Sequence, residues 1–204
     1  MSAPGTATNA SVPRWMTMQL EQHHEAAVDL VRLLPTVLNV AQRLCAAYEA
    51  GGVLYTFGNG GSAADAQHLT GELIGHYKRD RRALAAVTLT TDATVMSCIA
   101  NDYSYDDVFS RQVEALVRPQ DVVAGFSTSG RSPNVVAALA AARARGATTV
   151  LFGGSSGGPA AEHADVALLA PATQTARIQE MHTLMLHLIS EYVDAWAAGE
   201  EPVV

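Results

Sequence analysis

Two pairs of side chains, more than a hundred residues apart, could do chemistry together. His68 and Glu72 stand four apart in His68-Leu-Thr-Gly-Glu72, and Gln179 and His187 stand eight apart in Gln179-Glu-Met-His-Thr-Leu-Met-Leu-His187. If both stretches are helical, each pair falls roughly on one face, because four residues turn through about 400° and eight through about 800°. Two such faces meeting would bring together two imidazoles, a carboxylate and an amide oxygen. That set suits a divalent transition metal, proton transfer at a polar substrate, or both.

Between these segments lie two loops that look built for an anion, although alone the first also reads as a tight turn and the second as a capped turn rich in small residues. Phe57-Gly58-Asn59-Gly60-Gly61-Ser62 follows an apolar run; its glycines permit close backbone approach, and Ser62 can cap the helix that comes next. It is neither a Walker loop nor a dinucleotide fingerprint, because the lysine and the glycine spacing are missing. The second loop, Ser127-Thr128-Ser129-Gly130-Arg131-Ser132-Pro133, carries four hydroxyls in six residues, with Ser132 at the expected N-cap and Pro133 at the first helical position. Free amides at the helix start, its positive dipole end and the hydroxyls together fit a phosphate.

The elements that must position these groups follow from hydrophobic patterning. Apolar runs at 53–57, 84–89, 122–126, 148–152 and 166–169 alternate with helical stretches at 62–77, 93–100, 106–117, 133–145 and 173–198. Continuous apolar strands alternating with helices predict a parallel sheet covered on both faces. In such sheets ligands bind beyond the carboxyl ends of the strands, which directs attention to the loops after the first and third. Residues 15–49 read as helix, broken or kinked at Pro35 and stopped by Gly51-Gly52. Residues 1–12, small and polar, read as a disordered tail, 13–50 as N-terminal helices, and 51–198 as the ligand-binding domain, with neither internal repeat nor inter-domain linker.

Composition narrows the partners. Net charge is −7, and Lys78 is the only lysine, so no basic stripe suggests nucleic acid. No run is long and apolar enough to predict a membrane span or a signal peptide. Cys45 and Cys98, each among apolar neighbours, read as buried free thiols in a reducing compartment, and the chain as a soluble cytoplasmic protein.

Five motifs taken together resemble the sugar-isomerase (SIS) domain: Gly58-Asn59-Gly60-Gly61-Ser62, Asp65-Ala-Gln-His68, Ala100-Asn101-Asp102, Ser127-Thr128-Ser129-Gly130 and Arg177-Ile-Gln179-Glu180. Within that family they are similar to the phosphoheptose isomerases, which interconvert sedoheptulose 7-phosphate and D-glycero-D-manno-heptose 7-phosphate. The resemblance implies a flavodoxin-like three-layer α/β/α sandwich with a five-stranded parallel sheet. It also implies an N-terminal helical extension that builds a homotetramer, with sites at subunit interfaces. Carried over by residue, it implies substrate contacts at Asn59, Gly60, Gly61, Ser62, Glu72, Thr91, Asp92, Ser127, Thr128, Ser129, Ser132 and Gln179. One zinc ion would be held by His68, Glu72, Gln179 and His187. Ala176 stands where some isomerases carry aspartate and Arg131 where asparagine is common, departures that bear on the choice of sugar.

The implied reaction is an aldose–ketose isomerisation through an enediolate, with Glu72 shuttling the carbon-bound proton and His187 serving at oxygen. Zinc could act as a Lewis acid on the carbonyl. A related SIS protein that associates with the bacterial replication initiator lacks the carboxylate and second histidine, and works as a tetrameric binding module; Glu72 and His187 favour the enzyme. An isomerase of another sugar phosphate is the further alternative. Taken singly, His187 reads as a core histidine, Glu72 as a solvated helix residue and Gln179 as a surface amide. His182 joins no constellation, and His23, His24, His76 and His163 read as surface residues.

Overall fold

The computed structural model describes residues 12–200; the expected tail at 1–12 lies almost wholly outside them. The chain opens with helix α1 (Arg14–Asp29), a 3-10 turn (Leu30–Leu33) and helix α2 (Leu34–Glu49). The break falls just before Pro35, which sits in the first turn of α2, where a missing N–H costs no helical hydrogen bond. Five strands follow, β1 (Leu54–Gly58), β2 (Ala86–Thr88), β3 (Val122–Ser127), β4 (Thr148–Gly153) and β5 (Val166–Leu169). Between and after them lie α3 (Gly61–Ile74), α4 (Ala93–Asp102), α5 (Ser110–Leu116), α6 (Pro133–Ala144) and α7 (Thr175–Ala197).

All strand pairs are parallel, in the order β2-β1-β3-β4-β5. β1 and β3 are buried along their whole length, as their unbroken apolar runs predict. One core packs α2, α3 and α7 on the first face of the sheet, and a second packs α4, α5 and α6 on the other. The strand order reverses between β1 and β3, so the loops after these two strands open into one crevice.

Some details depart from the sequence expectation. The second strand is three residues long instead of six, as befits an edge strand whose Val87 faces solvent. The stretch from 106 begins as a 3-10 turn (Tyr105–Asp107), and α5 proper starts at Ser110. Cys45 is a buried free thiol, but Cys98 is exposed: its apolar sequence neighbours point elsewhere on α4. On α1, α2 and the 3-10 turn between them, Trp15, Leu20, Val28, Val31, Leu34 and Leu38 are exposed, with Trp15 at 63% and Leu20 at 71%. The helical periodicity there marks an apolar face that a single chain leaves uncovered.

Candidate active site

Helix α3 is fixed to the sheet by a buried hydroxyl cluster. Thr56 on β1 donates to the Ala66 carbonyl (3.0 Å) and lies 2.9 Å from the Thr70 hydroxyl and 3.0 Å from that of Thr88 on β2. With one face anchored, α3 turns Asp65, His68 and Glu72, three and four residues apart, towards α7. There His68 Nε2 lies 3.0 Å from Glu72 Oε1 and 3.2 Å from His187 Nε2. The donor atoms of all three residues lie within 4.8 Å of one another.

This convergence fits a cation. His68 Nε2 faces both a carboxylate oxygen and another imidazole nitrogen at contact distance, and a single N–H cannot point at both. A tetrahedral zinc site with bonds of about 2.0–2.1 Å places its ligand atoms about 3.4 Å apart, close to the two distances seen. His187 is half-buried, and burial first, then the neighbouring His68, hold its imidazole below the ordinary histidine range. It is therefore a neutral ring at pH 7, able to ligate or to accept a proton. Tyr77 stacks on it, with ring centroids 5.5 Å apart and planes at 24°.

The loops after β1 and β3 meet at one cavity. Asn59, Gly61, Ser62, Ser127, Thr128, Ser129, Ser132, Thr175 and Gln179 line one cavity of about 270 Å³ at the carboxyl ends of β1 and β3. Ser132 occupies the N-cap of α6 but makes no side-chain cap bond, so its hydroxyl is left for a ligand. Ser127 and Ser129 instead accept the amides of Gly130 (3.1 Å) and Arg131 (3.2 Å), so they shape the turn as well as line it. Ser62 does not cap α3: the helix starts at Gly61 with Gly60 in the cap position. The turn depends on Gly130, whose φ is +61° and where a Cβ would stand 1.8 Å from the Gly157 carbonyl oxygen. The loop after β4 thus buttresses the anion loop from behind.

Other expected residues lie apart. Thr91 and Asp92 line a different cavity of about 570 Å³ beside β2, where Asp92 caps α4 by accepting the Val95 amide (2.9 Å). Gln179 packs on Gly61, where a Cβ would meet its Nε2 at 2.5 Å. Eight residues of α7 separate Gln179 from His187, about 12 Å of helix rise. The chain therefore gathers His68, Glu72 and His187, while Gln179 belongs to the lip of the anion cavity.

Several site neighbours carry no sequence signature. His182 is fully buried, edge-on to Phe126 and Phe152, with Nε2 3.1 Å from the Gly153 carbonyl; burial lowers its pKa to about 4. Its Nδ1 faces Asp65 Oδ2 at 4.0 Å, and burial raises that carboxyl to about 6. His23, expected as a bystander, lies 2.7 Å from Glu180, which also pairs with Arg177, so α1 is tied to the start of α7. His24 and His76 are exposed and His163 is half-buried.

Comparison with known proteins agrees with this fold. The family profile described as SIS domain matches residues 30–154. A phosphoheptose isomerase from Roseiflexus sp. is 44% identical over 189 residues, covering 90% of this chain and 94% of the relative. Another, from Paramagnetospirillum magneticum, is 46% identical over 185 residues, covering 90% and 96%. Among solved structures, a phosphoheptose isomerase from Neisseria gonorrhoeae superposes with a TM-score of 0.84 at 38% identity, covering 89% of this chain and 97% of that one.

Proposed function

The chain belongs to the SIS-domain family, and from that premise we propose that it is a phosphoheptose isomerase, converting sedoheptulose 7-phosphate to D-glycero-D-manno-heptose 7-phosphate. The observation that carries the reading is the separation of its two functional centres. Ser62 and His68 stand six positions apart on α3 and Gln179 and His187 eight apart on α7, so about 9–12 Å of helix rise divides the anion cavity from the imidazole–carboxylate cluster. That span suits an extended seven-carbon chain, with phosphate at the hydroxyl loop and C1 and C2 at the cluster.

Isomerisation moves one proton between C1 and C2 and another between their oxygens. Glu72, half-buried and beside His68, is the carboxylate that takes and returns the carbon-bound proton. Neutral His187 gives and receives the proton at oxygen, held in place by the Tyr77 stack and the His68 contact. His68 keeps both groups converged. The phosphate is held by Thr128 and Ser132 hydroxyls and by backbone amides at the helix starts, which explains how an acidic chain can take an anionic substrate. A zinc ion held by His68, Glu72 and His187 would supply Lewis acidity at the carbonyl oxygen.

The apolar face of α1 and α2 supports assembly through residues 13–50, in a homotetramer, with residues 51–198 forming the sugar-phosphate unit. The family's contacts at Thr91 and Asp92 and the Gln179 ligand, which one chain does not bring to the cluster, then fall to assembly of neighbouring subunits. Among the described residues no helix is long and apolar enough to cross a membrane; the two free cysteines support a cytoplasmic enzyme.

The test is turnover of sedoheptulose 7-phosphate by wild type, Glu72→Gln and His187→Ala, each with zinc and with chelator. Each substitution should lower kcat by about 10²–10⁴-fold, the usual worth of one acid–base group. A folded wild type that is inert on this sugar under every metal condition, yet isomerises another sugar phosphate, would overturn the substrate assignment.

A further inference from the structure

Asn59, which lines the anion cavity, forms a reciprocal amide pair with the buried Asn134. Asn59 Nδ2 donates to Asn134 Oδ1 at 2.9 Å, and Asn134 Nδ2 donates back to Asn59 Oδ1 at 3.0 Å. The Tyr105 hydroxyl adds a third bond to the same Asn59 oxygen at 3.1 Å. Asn134 lies in the first turn of α6 and is only 2% exposed, so its carboxamide is committed to this contact. A carboxamide oxygen has two lone pairs and its nitrogen two hydrogens. Both lone pairs of Asn59 are therefore taken, and one hydrogen remains.

The pair has a definite place in the architecture. Register between β1 and β3 ends at Gly58 opposite Phe126. One residue later the backbones diverge into the two anion loops, and the amide pair carries the cross-link one step beyond the sheet. Tyr105 reaches in from the turn between α4 and α5, which is held by the Ser104 hydroxyl accepting the Asp106 amide (2.9 Å). Three separate connections thus close on one side chain at the rim of the site.

We propose that Asn134 and Tyr105 are positioning residues for the sugar phosphate: they clamp the Asn59 side chain, fix the spacing of the two anion loops, and leave the Asn59-Gly60-Gly61 backbone to face the ligand. The inference rests on the functional reading above and adds to it the residues that set the cavity's width. It also redefines Asn59, whose carboxamide oxygen is closed to sugar hydroxyls.

A double-mutant cycle tests the clamp, using Asn59→Ala, Asn134→Ala, their combination, and the exposed Tyr105→Phe as a variant certain to fold. Steady-state kinetics on sedoheptulose 7-phosphate and calorimetric binding of inorganic phosphate are the readouts, with Tm recorded for each. The two alanine variants should each raise KM and the phosphate Kd by about tenfold, since each removes both bonds of the reciprocal pair, with kcat changed less. The double variant should be no worse than the weaker single, since either substitution opens the same clamp, and Tyr105→Phe should cost about threefold. Additive effects would show two independent ligand contacts and overturn the proposal. Lowered Tm with KM and phosphate affinity intact would overturn it too, reducing the pair to a fold contact. A wild type that binds phosphate but does not turn over the heptulose refutes the functional reading alone, and the phosphate arm still reads the clamp.

Discussion

Replacing Asp194 by asparagine should remove much of the stability of this protein while leaving its shape almost unchanged. The Asp194 carboxylate is fully buried on α7 and accepts the backbone amides of Tyr77 (3.2 Å), Lys78 (3.1 Å) and Arg79 (2.8 Å), together with Arg81 Nε (2.9 Å). Arg81, its side chain 1% exposed, turns its other nitrogens on the carbonyls of Glu72 (2.7 Å), Leu73 (2.8 Å), Gly75 and Arg82. Asparagine keeps the volume but leaves a guanidinium buried without its counter-charge, a loss of about 3–5 kcal/mol, against a total of about 5–15 kcal/mol for a typical domain. Burial alone would push the Asp194 carboxyl up, but the amides and Arg81 outweigh it and the net shift is downward. That contribution is present above the ordinary aspartate range near ~3.9 and is lost as acid protonates the folded state. Urea denaturation at fixed protein concentration and pH 7 is the assay. Asp194→Asn and Arg81→Met should each lower the midpoint with m unchanged. A loss under about 1 kcal/mol for Asp194→Asn would refute the reasoning, since an unpaired buried charge cannot be so cheap.

Two further outcomes follow from the same geometry. Gly130→Ala meets both a left-handed φ and the Gly157 carbonyl; a cost of about 2 kcal/mol or more lowers Tm by about 4–8 °C, and phosphate affinity should fall with it in calorimetry. Asp65→Asn should stabilise the protein above pH 6. The raised Asp65 pKa of about 6 means the folded state holds a proton that the unfolded state releases near 3.8, so wild-type stability falls as pH rises through that window. The gain should be about 1–3 kcal/mol at pH 7–8 and vanish near pH 4, and a pH-independent difference in urea midpoints would contradict it. His182, lowered to about 4, contributes the opposite slope, stability gained between pH 4 and 6.5, so the wild-type profile partly conceals both.

The five strands and most helices were legible because burial on both faces leaves an unbroken apolar run, and one-sided helices repeat every three to four residues. The pairing of His68, Glu72 and His187 was legible for the same reason. Gln179 shows where that reasoning stops: eight residues turn a helix through about 800°, about 80° past two full turns, and add about 12 Å along it, so spacing alone does not set Gln179 beside His187. Cys98 is a related case, since apolar neighbours at adjacent positions say little about the side of α4 on which a residue falls. The Asp194–Arg81 pair, the Asn59–Asn134 pair and the Asp65–His182 contact join residues 113, 75 and 117 positions apart. Such pairings have no period, and only the folded chain discloses them.

Helix α7 explains why so many of these contacts matter to one site. Arg177 and Glu180 bind it to α1, Gln179 closes the lip of the anion cavity, and His182 reaches under the sheet to Gly153. His187 joins the cluster on α3, and Asp194 gathers the loop that places Tyr77 against His187. Each contact fixes a different turn of the same helix, so its axial position is over-determined. Proton transfer between fixed carbons tolerates little displacement of the acting groups. A long helix pinned at five levels, one of them to the uncovered apolar helices, holds His187 at a constant distance from the phosphate loop. On the proposed assignment of the two centres, the span offered to the substrate is thereby a property of the scaffold, set by turns of helix away from the sugar.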